Sequence, residues 1–290
     1  MKLAQYQKKG KTATALWNSA LSGWTAPDEA FDDFPAEAID AAMSPAKERE
    51  KWERWAESAD APLLTPEKMT FLPPVTRPSK ILCVGLNYAD HAKEFGDPIP
   101  AEPVFFCKAN STLTSHGAPI VIPKVSRRID YEAELVVVIG KEGRDIPVSE
   151  ALSFVAGYAC GNDVSCRDWQ KEKPGGQWFL GKSFDSFAPV GPAMVTADEI
   201  PNPNALTIQS RLNGRVMQSS TTAHFIFPVE TLISYVSRVM TLFQGDLIFT
   251  GTPGGIGDRR TPPVYLTAGD VIEVEIERVG ILSNPVRNVE

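Results

Sequence analysis

The sequence predicts a mostly β fold of the α+β class with a small N-terminal domain, and three observations support this prediction. Short apolar or alternating runs, each about the length of a strand, follow one another from about residue 80 onwards. Only residues 229–240 place apolar side chains convincingly at helical spacing. The regular alternation of strands and helices that indicates a parallel α/β sheet is missing. The sheet topology stays open at this point.

The first 75 residues differ in composition from the rest and are predicted to form the small domain and its linker. Residues 36–60 are rich in charge and in helix formers, and their mixture of apolar and charged positions suits a pair of surface helices. Five prolines lie between residues 62 and 80, which is typical of a connector rather than of a regular element. The boundary is therefore predicted after residue 75, with a larger domain over residues 76–290.

Several elements of the larger domain can be predicted individually. Asn213-Gly214 is a typical two-residue turn, so residues 206–218 should form a β-hairpin. Residues 271–279 alternate between apolar and charged side chains, as a half-buried strand does. A helix is expected to begin at Pro228. The remaining predicted strands cover residues 81–86, 103–108, 133–140 and 153–161.

Composition and charge argue against several classes of protein. The net charge is −7 and no cluster of basic residues overrides it, so a nucleic-acid partner is not expected. No run of 18 apolar residues and no apolar leader segment occur, so we expect a cytoplasmic protein without a membrane partner. The four cysteines form no C-x-x-C pair and lie in or beside apolar runs, which favours reduced structural thiols.

Two glutamates stand at the start of the most apolar strand. Glu132 and Glu134 are two residues apart, so both side chains project from one face of a strand that continues as an aliphatic run. Two carboxylates on a partly buried face repel each other and lose solvation. Either this strand end is solvated and paired with nearby basic residues, or a hard divalent cation neutralises the charges.

A third carboxylate fits the second alternative. Asp163 follows an apolar strand that ends at Gly161, although it could instead cap a helix that starts at Val164. Three carboxylates would leave open positions on Mg²⁺ or Mn²⁺ for a chelating substrate. The chain has only three histidines and no H-x-x-x-H motif, so zinc is not expected.

Four motifs carry a family resemblance. The stretches DYEAELVVVIG, GYACGNDVSCRDWQ, GKSFDSFAPVGP and LIFTGTPGGIG resemble, in order and wording, the fumarylacetoacetate hydrolase family, over roughly residues 80–279. The resemblance implies a mixed β-sandwich roll as the C-terminal catalytic domain, usually in a homodimer. It also implies that Glu132, Glu134 and Asp163 hold Mg²⁺ or Mn²⁺, which Ca²⁺ can replace in crystals. The first 75 residues resemble the small α+β N-terminal domain of bacterial members only loosely.

The resemblance further implies catalytic roles for three residues. His91 and Glu94 are three residues apart and resemble a dyad on a mobile lid that activates water in hydrolytic members. Lys182 corresponds to a lysine that stabilises enolate charge beside the metal. Without the resemblance, an exposed histidine on a surface helix and a surface lysine would be the ordinary interpretations.

The same motifs supply substrate-facing positions. Arg167 and Gln170 match positions that face the substrate, and Thr252 matches one that binds the substrate carboxylate. The glycine-rich stretch around Thr252 lacks the spacing and the lysine of a phosphate-binding loop. Residues 172–178 are expected on the pocket rim.

Three functions follow as hypotheses. The first is metal-dependent hydrolysis of a carbon–carbon bond in an acylpyruvate or 2,4-diketo acid, which gives pyruvate and a carboxylic acid. The second keeps the metal but performs oxaloacetate decarboxylation, hydration or isomerisation in aromatic or sugar-acid catabolism. The third is a structural Ca²⁺ site without catalysis, which would need neither Lys182 nor the His91–Glu94 pair. In the first two, the partner is a small 2-oxo or diketo acid.

Overall fold

The computed structural model describes residues 1–58, 61–65, 69–89 and 99–290, and the fold is mostly β, as predicted. The helices are α1 Ala38–Met43, α2 Ala46–Ala56, α3 Arg167–Lys171, α4 Trp178–Lys182 and α5 Val229–Ser237. The strands are β1 Lys2–Lys8, β2 Lys11–Asn18, β3 Gly23–Thr25, β4 Thr70–Leu72, β5 Ile81–Gly85, β6 Val104–Lys108, β7 Leu113–Ser115, β8 Ile120–Ile122, β9 Ile129–Asp130, β10 Ala133–Ile139, β11 Val155–Asn162, β12 Ser165–Cys166, β13 Ala188–Thr196, β14 Thr207–Leu212, β15 Arg215–Thr221, β16 Leu247–Phe249, β17 Val271–Ile276 and β18 Gly280–Asn288.

In the described ranges the strands form three sheets. Eleven belong to a large sheet with the path β3-β2-β1-β13-β11-β10-β16-β5-β6, to which β4 and β7 are attached. Five form a second sheet in the order β15-β14-β17-β18-β8, and β9 pairs with β12. Most neighbours are antiparallel, but the pairs β16–β5, β13–β7 and β18–β8 are parallel. The sheets are therefore mixed, as the family resemblance implies.

The predicted hairpin and late helix are confirmed. Asn213 and Gly214 have φ of 51° and 79° and join β14 to β15, since a tight hairpin turn needs two residues with positive φ. Pro228 is the N-cap of α5, one residue before its first helical turn. The inward positions of β17 are confirmed as well, because Ile272, Val274 and Ile276 are each 1% exposed.

The N-terminal residues contribute strands to the same large sheet. Strand β1 pairs with β13 through Lys2–Val195 and Leu3–Met194, and with β2 on its other side. The two predicted surface helices are present as α1 and α2. The domain boundary after residue 75 stays a prediction.

Strand β10 is buried on both faces, which explains its uninterrupted aliphatic run. Leu135 and Val137 pack in a core between the large sheet, the second sheet and α5. Val136 and Val138 pack in a separate core on the opposite face, against residues of the N-terminal strands and of α1 and α2. By the alternation along the strand, Glu134 continues this second face, at the point where the core gives way to charged side chains.

The cysteines are all free, and three of them are buried, while Cys107 is exposed. No helix in the described part of the chain is long and apolar enough to cross a membrane.

Candidate active site

The three predicted metal ligands meet where β10 begins and β11 ends. The backbone joins these two points directly, because Asp163 N donates to Glu132 O at 2.9 Å. Asn162 Oδ1 accepts from Glu132 N at 2.9 Å and fixes the same junction from the other side. One carboxylate oxygen from each of Glu132, Glu134 and Asp163 lies within 4.8 Å of the other two. This arrangement can hold a metal ion.

Burial excludes the two simpler interpretations of these carboxylates. Glu132 and Glu134 are 7% and 1% exposed, so the alternative of a solvated strand end is excluded. Asp163 is fully buried, and helix α3 starts only at Arg167 with Cys166 as its N-cap, so Asp163 does not cap that helix. The three carboxylates therefore lose their solvation on folding and need positive charge nearby.

Two lysines supply part of that charge. Lys182, at the end of α4, is 2% exposed, so its interpretation as a surface lysine is wrong. Its ammonium donates to Glu132 Oε2 and to Asp163 Oδ2, each at 2.7 Å. Lys108, at the end of β6, donates to Asp163 Oδ1 and to Val164 O and has a fully buried side chain. Asp163 thus lies between two ammonium groups.

Arg167 uses all three of its guanidinium nitrogens within the site. Nε donates to Asp130 Oδ2 at 2.8 Å, Nη1 to Gln170 Oε1 at 2.9 Å, and Nη2 to Glu132 Oε1 at 2.6 Å. Asp130 is fully buried and also accepts from Gly257 N at 2.8 Å. Asp130 therefore fixes Arg167 and ties it to the glycine-rich loop.

The surroundings of Glu132 and Glu134 shift the pKa values of the two carboxyl groups in opposite directions. Burial alone would raise the pKa of Glu132, but the positive charges of Lys182 and Arg167 outweigh it and lower the pKa to about 2. Burial raises the pKa of Glu134 well above its ordinary value, and the negative charges of Asp163 and Glu132 add to this effect. Burial would lower the pKa of Lys182, but Asp163 and Glu132 outweigh it and raise the pKa, so the ammonium stays charged.

The donor set fits a hard divalent cation. All three ligands are carboxylates, which Mg²⁺ and Mn²⁺ prefer, whereas Zn²⁺ favours nitrogen and sulfur ligands. In the described ranges, the ion pairs of Glu132 and Asp163 reach lysine or arginine, and none reaches Glu134. Glu134 instead accepts from Gly251 N at 2.7 Å. A divalent cation would offset the repulsion that raises the pKa of Glu134.

Thr252 is positioned by a glutamine that the sequence did not reveal. Gln218 on β15 donates to Thr252 Oγ1 at 2.7 Å and to Pro253 O at 2.9 Å. Its side-chain oxygen accepts from Ala133 N at 3.0 Å. Gln218 thus joins the first residue of β10 to the loop that carries Thr252.

A pocket of about 230 Å³ opens beside the charged cluster. Its lining includes five residues that the sequence singled out: Glu132, Arg167, Gln170, Lys182 and Thr252. Lys171 and Arg259 add positive charge, while Val84, Phe106, Trp178 and Ile256 add apolar surface. A larger cavity of about 330 Å³ lies between the N-terminal strands and α2, but its lining includes none of the charged cluster. The smaller pocket is therefore the candidate active site.

The predicted dyad His91–Glu94 lies outside the residues that the structure describes, and its role stays a prediction. Residues that the sequence analysis missed include Lys108, Asp130 and Gln218. Asp130 stands two residues before Glu132 in the same motif, so its spacing was a usable signal. Lys108 is the last residue of β6, and Gln218 lies within β15. Both strands reach the site only through the tertiary fold, so the sequence around these two residues carries no sign of their role.

Comparison with known proteins agrees with this geometry. Residues 80–287 match the family described as "Fumarylacetoacetate (FAA) hydrolase C-terminal". The mitochondrial oxaloacetate tautomerase of Bos taurus is 48% identical over 233 residues, which cover 80% of this chain and 74% of that protein.

Two solved structures align with this chain over the full length of both proteins. The 5-carboxymethyl-2-hydroxymuconate delta-isomerase of Mycobacterium smegmatis is 30% identical with a TM-score of 0.77. The maleylpyruvate hydrolase of Sphingobium sp. SYK-6 is 27% identical with a TM-score of 0.81. The chain therefore belongs to the fumarylacetoacetate hydrolase family and is an enzyme of this superfamily of hydrolases, isomerases and tautomerases.

Proposed function

We propose that this enzyme interconverts the keto and enol forms of a short 2-oxo dicarboxylic acid, with oxaloacetate as the first substrate to test. The observation that carries the proposal is the buried ammonium of Lys182 in contact with the carboxylate cluster, inside a pocket of only about 230 Å³. Pockets for drug-sized ligands usually measure roughly 300–1,000 Å³, so this one suits a small acid. The 48% identity to an oxaloacetate tautomerase supports the same reaction.

Glu132, Glu134 and Asp163 would hold Mg²⁺ or Mn²⁺. When bound, the cation supplies Lewis-acid polarisation of the 2-oxo group and lowers the energy of the enolate. The chain contributes the second part of this stabilisation. Lys182 stays charged, because its raised pKa disfavours loss of the proton, and it therefore acts as a hydrogen-bond donor to developing negative charge rather than as a base.

Cationic side chains would orient the two carboxylates of such a substrate. Arg167 and Gln170 are held together by a hydrogen bond and line the pocket, as does Thr252. Lys171 and Arg259 also line it, which gives a dianionic substrate further positive charge to meet. These groups would hold the substrate in one orientation next to Lys182.

The test follows the enol form of oxaloacetate by its ultraviolet absorbance, with and without the Mg²⁺-loaded protein. Pyruvate and CO₂ are measured in the same samples. We expect the protein to accelerate loss of the enol while neither pyruvate nor CO₂ accumulates. An unchanged enol lifetime would exclude tautomerisation, and parallel release of pyruvate and CO₂ would indicate decarboxylation instead.

Hydrolysis of an acylpyruvate is the second candidate, and the likeness to maleylpyruvate hydrolase favours it. Both reactions stabilise an enolate next to the cation, but hydrolysis also needs a group that removes a proton from water. His91, oriented by Glu94, remains the predicted group. Acetylpyruvate and fumarylpyruvate are the substrates to test, with pyruvate as the measured product. A His91→Ala variant that still cleaves them at the wild-type rate would exclude His91 as that base.

A further inference from the structure

Phe106 and Trp178 form an aromatic wall along part of the candidate active site. Trp178 is the first residue of α4, and Lys182 is the last residue of the same single-turn helix. The Trp178 ring meets the ring of Phe106 edge-on, with 5.4 Å between the ring centroids. The Lys182 ammonium lies 5.3 Å from the centroid of the same Phe106 ring. Phe106 therefore lies next to both Lys182 and Trp178.

The position of the indole depends on a glycine. Gly85 ends β5, and a Cβ atom added there would lie 2.8 Å from Cζ3 and 3.2 Å from Cη2 of Trp178. Real Cβ contacts are longer than the first of these distances, and the indole is rigid, so any larger residue at position 85 would displace it. The Trp178 ring thus packs directly on the backbone of the strand, and both residues line the pocket.

Size and polarity together define what this wall can select. The pocket of about 230 Å³ is lined by the charged side chains of Glu132 and Lys182 and by the aromatic side chains of Phe106 and Trp178. The half-buried indole packs against Phe106 and against the backbone at Gly85, so moving it aside for a longer substrate would cost these contacts. It also offers no charged partner to a second carboxylate that extends towards it.

We infer that Trp178 is a specificity-determining residue that limits the site to short 2-oxo acids, and that Gly85 is the residue that allows it to do so. The inference rests on the proposed function for the identity of the 2-oxo acid head group. It adds a limit on chain length, set by one side chain that does not take part in the chemistry.

The test compares 2-oxo dicarboxylates of increasing length. Oxaloacetate, 2-oxoglutarate and 2-oxoadipate are titrated into the Mg²⁺-loaded protein by calorimetry, and the two longer acids are also tested as inhibitors of oxaloacetate turnover. Wild-type protein should bind oxaloacetate best and 2-oxoadipate worst. Trp178→Ala should tighten 2-oxoadipate binding at least about tenfold, the scale of one to two methylene groups in an apolar pocket. Trp178→Phe should give a smaller change in the same direction.

A second tryptophan supplies the matched control. Trp169 lies on the neighbouring helix α3, packs against Phe184 with 5.6 Å between centroids, and is not part of the pocket lining. Trp169→Ala should leave the order of the three affinities unchanged. Circular dichroism and thermal unfolding show whether each variant is folded, and the milder Trp178→Phe variant keeps the test valid if Trp178→Ala does not fold.

The coupling between Gly85 and Trp178 gives an independent measurement. Gly85→Ala should reduce oxaloacetate affinity in the wild-type background, because its new methyl group displaces the indole. The same change should have little effect in the Trp178→Ala background, where the indole is absent, so the double-mutant cycle should be non-additive. Additive effects, or an unchanged affinity of Trp178→Ala for 2-oxoadipate, would overturn the inference.

The outcomes separate this inference from the proposed function. If wild-type protein binds the three acids in the expected order and Trp178→Ala tightens 2-oxoadipate binding, but the lifetime of the oxaloacetate enol is unchanged, the proposed reaction is wrong and the length limit stands. If it accelerates tautomerisation but Trp178→Ala leaves the affinities unchanged, the reaction stands and the length limit is wrong.

Discussion

Single side chains set the charge balance of the candidate site, and that balance leaves room for a cation. The candidate site contains four buried carboxylates, from Asp130, Glu132, Glu134 and Asp163. Three buried cationic side chains lie among them, from Lys108, Arg167 and Lys182. One negative charge is in excess when all seven groups are ionised. A divalent cation would reverse this balance and prepare the pocket for an anionic substrate.

The first prediction concerns Lys182. Lys182→Met retains most of the apolar stem but removes the ammonium that contacts Glu132 and Asp163. Turnover should fall by about 10²–10³, the usual cost of removing one donor to a developing oxyanion. Steady-state kinetics measure this loss. Lys173→Met is the control, because Lys173 is exposed and outside the pocket lining, and its turnover should match the wild type. Wild-type turnover in Lys182→Met would remove Lys182 from the mechanism.

The second prediction concerns pH and Glu134. Its pKa is raised in the folded, metal-free protein, so Glu134 holds a proton at pH values where an ordinary glutamate has lost it. Mg²⁺ must displace this proton, and its apparent affinity should therefore rise with pH above the ordinary glutamate pKa until the raised pKa is passed. The free energy of unfolding of the metal-free protein should fall as the pH rises over the same interval, because Glu134 releases its proton at a lower pH in the unfolded state than in the folded state.

Calorimetry in buffers of different ionisation enthalpy measures the released proton directly. We expect about one proton per Mg²⁺ ion, and none in Glu134→Gln, which should also bind Mg²⁺ weakly. Glu273→Gln on β17 is the control and should behave as the wild type, since Glu273 lies on the second sheet. Mg²⁺ binding without proton release in the wild type would contradict the prediction.

At this scale the sequence revealed the carboxylates but only part of what surrounds them. Glu132 and Glu134 stood out because charge interrupts an otherwise aliphatic strand. Lys108 gave no such signal, since a lysine at the end of a strand is usually solvated. Only the tertiary pairing of β5 with β6 brings Lys108 to Asp163, which is 55 residues away in the chain.

At the scale of elements, the site depends on two very short helices in close contact. A Cβ atom added at Gly181 of α4 would lie 2.6 Å from the backbone N and Cα of Gln170 on α3. The missing side chain lets the backbones approach, so that Lys182 on one helix and Arg167 on the other both reach Glu132. Helices of five residues are too short for a recognisable hydrophobic period, and the sequence therefore did not predict this pair.

The third prediction tests this contact. Gly181→Ala should push α4 away from α3 and displace Lys182 from the carboxylates, because backbone atoms of Gln170 cannot rotate aside. Overpacking of this kind usually costs about 1–3 kcal/mol of stability, whereas a displacement of roughly 1 Å can lower a rate by about 100-fold. Kinetics should thus show a loss of turnover of about 100-fold, and thermal unfolding a loss of about 1–3 kcal/mol in the free energy of unfolding.

Phe179→Ala serves as the control in the same helix, because the Phe179 side chain is exposed. It should change neither turnover nor unfolding appreciably. Wild-type turnover in Gly181→Ala would mean that the close approach of the two helices is not needed for catalysis.

Amino-acid composition predicts the N-terminal helices but not the pairing of the N-terminal strands. Helices α1 and α2 were predicted, because helix formers and mixed polarity are visible in residues 36–60. The sequence did not show that β1 pairs with β13, since Lys2 and its partner Val195 are far apart in the chain and the pairing has no local signal.

At the scale of the whole molecule, the N-terminal residues cover one face of the sheet that carries the site. Leu3, Phe34 and Trp52 share a core with Val136 and Val138 of β10, the strand that also carries Glu134. Strand β1 also covers an edge of β13. Removal of residues 1–75 would expose both an apolar face and an unpaired strand, which promotes aggregation.

A chain of residues 76–290 should not fold as a stable, Mg²⁺-binding unit, whereas the 290-residue chain should unfold in a single thermal transition that Mg²⁺ shifts upward. Trp52→Ala in the full chain tests the same core without a deletion. Its cavity should lower the free energy of unfolding by about 3–5 kcal/mol, because the Trp52 side chain is 2% exposed and packs against Phe34. Calorimetric scans and size-exclusion chromatography measure both effects. A soluble 76–290 chain with wild-type Mg²⁺ affinity would instead establish the boundary at residue 75 as a true domain boundary.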